Sequence, residues 1–269
     1  MTPESSHLDK IRERFTATAD EFSRNVRVTR AAEAELVAER ATAGLTSASK
    51  MTAIDLACGP GTFTRPLAAH VERAIGADLT PAMVEKARAE AARDAITNIE
   101  FTCADVYSLP FADNSADILT CGYAFHHMTD PLNALKEMAR VARPGGRVAI
   151  IDIIVPDGFD PEHQTAIERE RDPSHTNTLT PARFHEMFRD AGLRVYSESW
   201  HENFHDFDAW MRNAGRGPGD DYYAKTRKRM ESFMTGKEAS GFRPRPSGQD
   251  GSGIEFTHTV LLIVGEKPE

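Results

Sequence analysis

The chain has 269 residues, 40% of them hydrophobic, and a formal net charge of −9, enough apolar material for one large α/β domain that also carries a cap. The acidic balance disfavours a protein that coats nucleic acid or an anionic membrane, because both reward clustered Lys and Arg. No apolar run approaches the roughly 20 residues that a spanning helix needs, and the polar start Met1-Thr2-Pro3-Glu4-Ser5-Ser6 has no signal-peptide core, so a cytoplasmic protein is expected.

In chain order, residues 7 to 44 mix charged and apolar positions at helical spacing. Phe15, Ala19, Phe22 and Val26 can share one face and Ala32, Leu36 and Ala43 another, which predicts one or two helices leading into the core. Strand and helix signals then alternate: strand 53–56, helix 62–71, strand 73–78, helix 82–95, strands 99–104 and 116–121, helix 131–142 and strand 147–155. Thr80 and Pro81 read as the cap and first residue of one helix, and Arg143-Pro144-Gly145-Gly146 stops another. Strands alternating with helices imply a parallel sheet covered on both faces.

Residues 156–180 hold Asp, Glu, His, Arg and Pro with little apolar periodicity, which predicts a mobile or ligand-facing connection. A helix over 181–191 and an alternating strand over 193–200 follow. Residues 203–240 carry helical spacing through Phe204, Phe207, Trp210, Met211, Tyr222, Tyr223, Met230, Phe233 and Met234, more in keeping with a cap core than with a substrate box. After a Gly-, Pro- and Ser-rich stretch (241–253), the strand 254–264 is expected to pair antiparallel with 193–200 and leave the intervening segment as an insertion. Cys58, Cys103 and Cys121 show no Cys-x-x-Cys spacing and read as reduced core residues.

The organising stretch is Ala53-Ile54-Asp55-Leu56-Ala57-Cys58-Gly59-Pro60-Gly61-Thr62-Phe63. A buried strand that ends on Gly-x-Gly bends tightly, lets a ligand approach and aims the next helix's N-terminus at it, as nucleotide-type cofactor sites require. A nicotinamide dehydrogenase shares this pattern, but its third glycine would fall at position 64, where Thr64 stands. A cofactor-binding regulator without catalysis is another alternative, against which stands a stock of polar groups: His126, His127, Asp130, Arg171, Asp172 and His175.

Asp55-Leu56-Ala57-Cys58-Gly59-Pro60-Gly61, Gly76-Ala77-Asp78-Leu79-Thr80-Pro81-Ala82-Met83, Ala104-Asp105-Val106-Tyr107-Ser108-Leu109-Pro110-Phe111, Ala124-Phe125-His126-His127-Met128-Thr129-Asp130-Pro131 and Arg143-Pro144-Gly145-Gly146-Arg147 together resemble a class I S-adenosylmethionine-dependent methyltransferase. The nearest flavour is the type 11 small-molecule group, related to quinone C-methyltransferases. Arg171-Asp172-Pro173-Ser174-His175 and the tail from Phe207-x-x-Trp210 to Phe256-Thr257 resemble a bacterial subgroup of it.

The resemblance implies a Rossmann-like, doubly wound, mostly parallel seven-stranded sheet with an antiparallel last strand and a helical cap. Residues 1–50 would cover the cofactor site, 51–200 with 254–269 would form the core (156–180 as a lid), and 201–253 the cap insertion. The cofactor would be S-adenosyl-L-methionine, held by Asp55, Ala57, Cys58, Gly59, Gly61, Thr62, Asp78, Leu79, Met83, Asp105, Val106 and Cys121. Asp78 follows the glycines at about the spacing of 20 residues at which an acid accepts ribose hydroxyls. Asp105 would accept from the adenine amino group, with Val106 N–H on the ring. Asp55 would hold the ammonium group or brace the loop. Ala57, where such families often have glycine, permits close approach but bars conformations that only glycine tolerates.

The reaction expected is in-line transfer of a methyl group to O, N or C of a small molecule, with no metal. Holding acceptor and methyl in attack geometry supplies most of the catalysis. A hydroxyl or acidic carbon would also use a base of near-neutral pKa. His126, His127 and His175 are the candidates, His126 first because it follows the fourth strand at the ligand-binding edge. No nucleic-acid partner or membrane insertion is expected, and a homodimer is left open.

Overall fold

The computed structural model describes residues 3–236 and 239–269; the few positions of the expected N-terminal and inserted segments at 1–2 and 237–238 lie outside them. Helices α1 (Pro3–Thr29) and α2 (Ala31–Thr42) lead into β1 (Thr52–Leu56), α3 (Thr64–Ala68), β2 (Arg73–Asp78), α4 (Pro81–Arg93), β3 (Ile99–Cys103), β4 (Ala116–Gly122), α5 (Pro131–Val141) and β5 (Ala142–Ile154). Then come α6 (Pro161–Arg171), α7 (Pro181–Asp190), β6 (Arg194–Asp206), α8 (Phe207–Arg212), α9 (Asp221–Met234), β7 (Arg245–Ser247) and β8 (Gly253–Glu266).

The sheet has eight strands in the order β3-β2-β1-β4-β5-β8-β6, with β7 paired to β8. β1 to β5 run parallel, and β8 runs antiparallel between β5 and β6. The expected seven strands form the main path; the eighth, β7, lies in the Gly/Pro/Ser stretch and is too short to show a period. The register aligns Leu56 with both Ala77 and Cys121, so the carboxyl ends of β1, β2 and β4 meet at one edge. In a doubly wound sheet that edge, where strand order reverses, is the ligand crevice.

Apolar side chains on α5 and α7 (Leu135, Met138, Phe184, Phe188) cover one face. Those on α2 and α3 (Val37, Ala38, Ala41, Leu67) cover the other. The inserted aromatics form a core of their own, with Phe207, Trp210, Met211, Tyr223, Met230 and Phe233 packed on Phe242, Ile254 and Phe256. No helix among the described residues is long and apolar enough to cross a membrane.

Cys58 and Cys121 are buried as expected, but Cys103, at the end of the edge strand β3, is exposed and not a core residue. Three expectations about the elements also need correction. The segment 156–180 contains a regular helix, α6, whose buried face is largely polar (Gln164, Thr165, Ile167 and Glu168), so it carries no apolar stripe to find. β6 continues to Asp206, beyond the expected end at 200, because β8 is long enough to pair with it throughout. The expected long helix after the glycine turn is only Thr64–Ala68, since turns occupy the residues before it.

Candidate functional site

β1 ends in a turn that holds three consecutive odd positions at positive φ: Ala57 (50°), Gly59 (53°) and Gly61 (76°). Ala57 therefore adopts the left-handed region despite its Cβ, at a cost of about 1–2 kcal/mol, a conformation that is costly for alanine but not reserved to glycine. Asp55, below the turn, is 1% exposed and accepts hydrogen bonds from Thr64 Oγ1 (2.6 Å) and Thr120 Oγ1 (2.8 Å). Burial outweighs those bonds and lifts its pKa to about 7.

The turn opens into a cavity of about 750 Å³ along the strand ends, within the range of small-molecule sites. Ala57, Cys58, Gly59, Thr62, Asp78, Leu79, Met83, Asp105, Val106, His126, His127 and His175 line it. Asp55, Gly61 and Cys121 do not. Asp55 is committed to its two threonines as a brace, Gly61 packs toward Phe101, and Cys121 is 1% exposed within the sheet core.

Asp78 accepts from Gly59 N–H and Thr80 N–H, each at 2.8 Å, which ties the glycine turn to the start of α4. Its carboxyl is nearly buried, and burial raises its pKa despite both bonds. Thr80 occupies the N-cap position but makes no side-chain cap, contrary to expectation. Its Oγ1 and that of Thr62 are buried without a hydrogen-bond partner among the described residues, and both threonines belong to the cavity wall. Such orphaned polar atoms beside an acid with spare lone pairs fit a polar ligand, as the ribose and amino-acid parts of S-adenosylmethionine are. Asp105 Oδ1 accepts from Tyr107 N–H at 3.0 Å and closes the turn at Val106.

The far end of the cavity is rich in imidazole and charge. His126 Nδ1 lies 2.6 Å from Asp152 Oδ1 on β5, and Asp152 Oδ2 accepts from the His126 backbone N–H at 3.2 Å. Burial opposes a charge on this ring, but the Asp152 carboxylate prevails and holds its pKa above the ordinary value. The His127 ring is neutral, with a pKa near 3, owing to burial and then to His126; its Nδ1 reaches Ser174 O at 3.0 Å. His175 stacks on His126 with centroids 4.9 Å apart, and its Nε2 is 3.0 Å from Thr178 Oγ1. Burial and the neighbouring histidines push it well below the ordinary value.

Helix α1 closes the cavity with Phe15, Phe22 and Val26. On the opposite wall Tyr123, at φ 54°, donates to Glu33 Oε1 (2.8 Å) and accepts from Arg30 Nη1 (2.7 Å). His201 and Asn203 of β6 meet the same Glu33 oxygen, each at 2.7 Å. Sequence reading missed Tyr123, Asp152, Glu168, His205 and His258. Asp152 left a signal, a lone acid inside Ile150-Ile151-Asp152-Ile153-Ile154.

The sequence model described as "Methyltransferase domain" matches residues 54–150. An uncharacterized methyltransferase, YcgJ of Bacillus subtilis (strain 168), is 31% identical over 223 residues, which cover 80% of this chain and 83% of that protein. The chain belongs to the S-adenosylmethionine-dependent methyltransferases. The crystal structure of YcgJ superposes on this methyltransferase with a TM-score of 0.77 at 28% identity, covering 88% of this chain and 99% of that one. Demethylmenaquinone methyltransferase of Lactococcus lactis is 39% identical over 105 residues, only 42% of its own length. Geranyl diphosphate C-methyltransferase from Streptomyces coelicolor A3(2), solved with S-adenosyl-L-homocysteine, shares the fold at 15% identity with a TM-score of 0.59. The protein is an enzyme that transfers a methyl group from S-adenosylmethionine, and the dehydrogenase and regulator alternatives are set aside.

Proposed function

We propose that the glycine-turn end of the cavity holds S-adenosylmethionine and that the histidine end holds an acceptor whose O–H, or acidic C–H, His126 deprotonates. The observation that carries this reading is the 2.6 Å contact of His126 Nδ1 with Asp152 in the wall of the cavity that Asp78 also lines. A carboxylate only accepts, so the Nδ1 proton is fixed toward Asp152 and Nε2 keeps a lone pair for a proton from the acceptor.

Bound there, S-adenosylmethionine supplies a methyl group on a positively charged sulfur. Asp78 has lone pairs left for the ribose hydroxyls, Asp105 and Val106 N–H suit the adenine edge, and the hydroxyls of Thr62 and Thr80 supply further polar contacts. Helix α1 and α6 exclude water over the reacting groups. Asp55 acts from behind the turn as a brace, and His127 and His175 hold the His126 ring in place rather than take the proton. The reading places the enzyme in the cytoplasm, acting on a small molecule and not on nucleic acid, with residues 156–180 as the lid and the segment after β6 as the cap.

Calorimetry tests the cofactor half: Asp78→Ala should bind S-adenosylmethionine about 10- to 150-fold more weakly, the loss of charge-assisted hydrogen bonds. A panel of phenols, amines, thiols and quinones with labelled cofactor, read by mass spectrometry, tests the acceptor half. His126→Ala should then lower turnover by about a hundred- to ten-thousandfold with cofactor affinity retained. Unchanged turnover would make His126 structural.

A further inference from the structure

A second carboxylate–imidazole line reaches the cavity from the cap side. Glu168 of α6 is 2% exposed, and its Oε1 lies 2.9 Å from Nε2 of His258 on β8, itself 4% exposed. His258 Nδ1 lies 3.2 Å from Nε2 of His205 on β6. All three residues line the cavity. Arg171 Nη1 lies 3.7 Å from the other Glu168 oxygen, and aromatic rings surround His258: Phe242, Phe256 and Trp210 have centroids 5.1, 5.3 and 6.0 Å from its own. A buried ionic set of this kind is often replaceable by apolar residues without loss of stability, so its presence in an aromatic core points to use.

The chemistry of the three groups fixes the direction of the line. A carboxylate only accepts, so His258 Nε2 carries the hydrogen. Burial keeps His258 below its ordinary pKa even beside Glu168, and its Nδ1 is then a lone pair. His205 must therefore donate from Nε2, and since burial leaves it neutral as well, its Nδ1 is a lone pair without a protein donor among the described residues.

We infer that Nδ1 of His205, oriented through His258 by Glu168, is a fixed hydrogen-bond acceptor in the acceptor end of the cavity, and that the methyl acceptor is a polar molecule with an O–H or N–H group donating to it. The inference rests on the methyl-transfer reading of the same cavity and adds the chemical class of its substrate. This donor is a recognition group, separate from the proton that His126 takes. A ring bearing only carbonyls and a prenyl chain would leave the line unpaired, and hydrogen-bonding sites reject such analogues.

The test uses the full chain with ring-¹⁵N histidine, saturated with S-adenosylhomocysteine, and phenol and anisole as probes that differ by one O–H donor. The His205 Nδ1 resonance should be that of an unprotonated nitrogen, move on phenol addition and stay on anisole addition. Phenol should bind about threefold to tenfold more tightly, the effect of one hydrogen bond. His205→Phe and His258→Phe should each erase that preference. A protonated Nδ1, or equal binding of the two probes by the wild type, would overturn the inference; neither reading depends on the variants folding. Failure of the methyl-transfer reading appears separately, as a wild type that does not bind S-adenosylhomocysteine, and the probe titrations run without cofactor still report on His205.

Discussion

Arg14 Nη2 on the first helix lies 2.6 Å from Asp172 Oδ2 at the end of α6, so two covers from distant parts of the sequence are joined across the cavity mouth. Asp172 is 3% exposed and its other oxygen accepts from Ser174 N–H and Oγ–H. Removing the cation leaves a nearly buried carboxylate short of a partner, which costs several kcal/mol in full burial and less here, where Arg14 is partly exposed. Arg14→Met should lower stability by about 1–3 kcal/mol and speed amide exchange in both α1 and residues 172–178. Faster exchange in α1 alone would show that the two covers are not joined through this pair.

The His126–Asp152 pair sets a pH dependence with a definite sign. In the proposed mechanism the working base is the neutral ring, and the carboxylate raises the ring's pKa, so turnover should climb with pH through a limb lying above the ordinary histidine value of about 6.5. Asp152→Asn removes the charge, and the limb should move to lower pH while the plateau drops by about tenfold or more as the ring loses its orientation. A pH–rate profile of both proteins checks this, and an unmoved limb would assign it to another group.

Asp55 makes the opposite kind of contribution to stability. Its folded pKa of about 7 lies above that of the unfolded chain, so between about pH 4 and 7 the folded state binds more protons and stability falls as pH rises, then levels off. Asp55→Asn can keep contacts with Thr64 and Thr120 without the charge. Its gain over wild type in denaturant unfolding should therefore be larger at pH 7.5 than at pH 4.5, by up to about 3–4 kcal/mol. A difference that does not change with pH would mean that Asp55 ionises normally in the folded state.

Two glycines give a packing contrast. A Cβ on Gly76, which pairs with Asp55, would meet Phe101 Cδ1 at 2.5 Å and Cys58 Sγ at 2.9 Å, whereas one on Gly217 meets nothing within 4 Å. Gly76→Ala should cost about 1–3 kcal/mol, and Gly217→Ala should stay within about 0.5 kcal/mol of wild type. Urea midpoints at equal slopes measure both.

The α/β order was legible because the strands of a parallel sheet are continuous apolar runs punctuated by glycine and proline, and β1, β2, β4 and the core of β5 are such runs. Asp78 and Asp105 were readable as strand-end acids at the cavity. Asp55 was harder, because one sequence pattern serves an acid that points at a ligand and one that braces the turn from below; only the positions of Thr64 and Thr120 separate them. Helix α6 was hidden by its largely polar buried face, on which Gln164 and Thr165 bond to backbone groups and Glu168 reaches the cavity, leaving Ile167 as the one apolar anchor. His205 and His258 were hidden for another reason: they stand 53 positions apart, and only the β6–β8 register, with His205 opposite Phe256, brings them together.

The place of β8 also sets an order of assembly. Among the described residues, β6, which carries Asn203 and His205, pairs in the sheet only with β8. On a growing chain the parallel strands that bear the glycine turn and Asp78 can pair before residues 253–266 have been made, while the wall with His205 has its Glu33 contacts but no strand partner until they are. The half of the cavity proposed for the methyl donor can thus be laid down before the wall that carries His205 takes its place in the sheet.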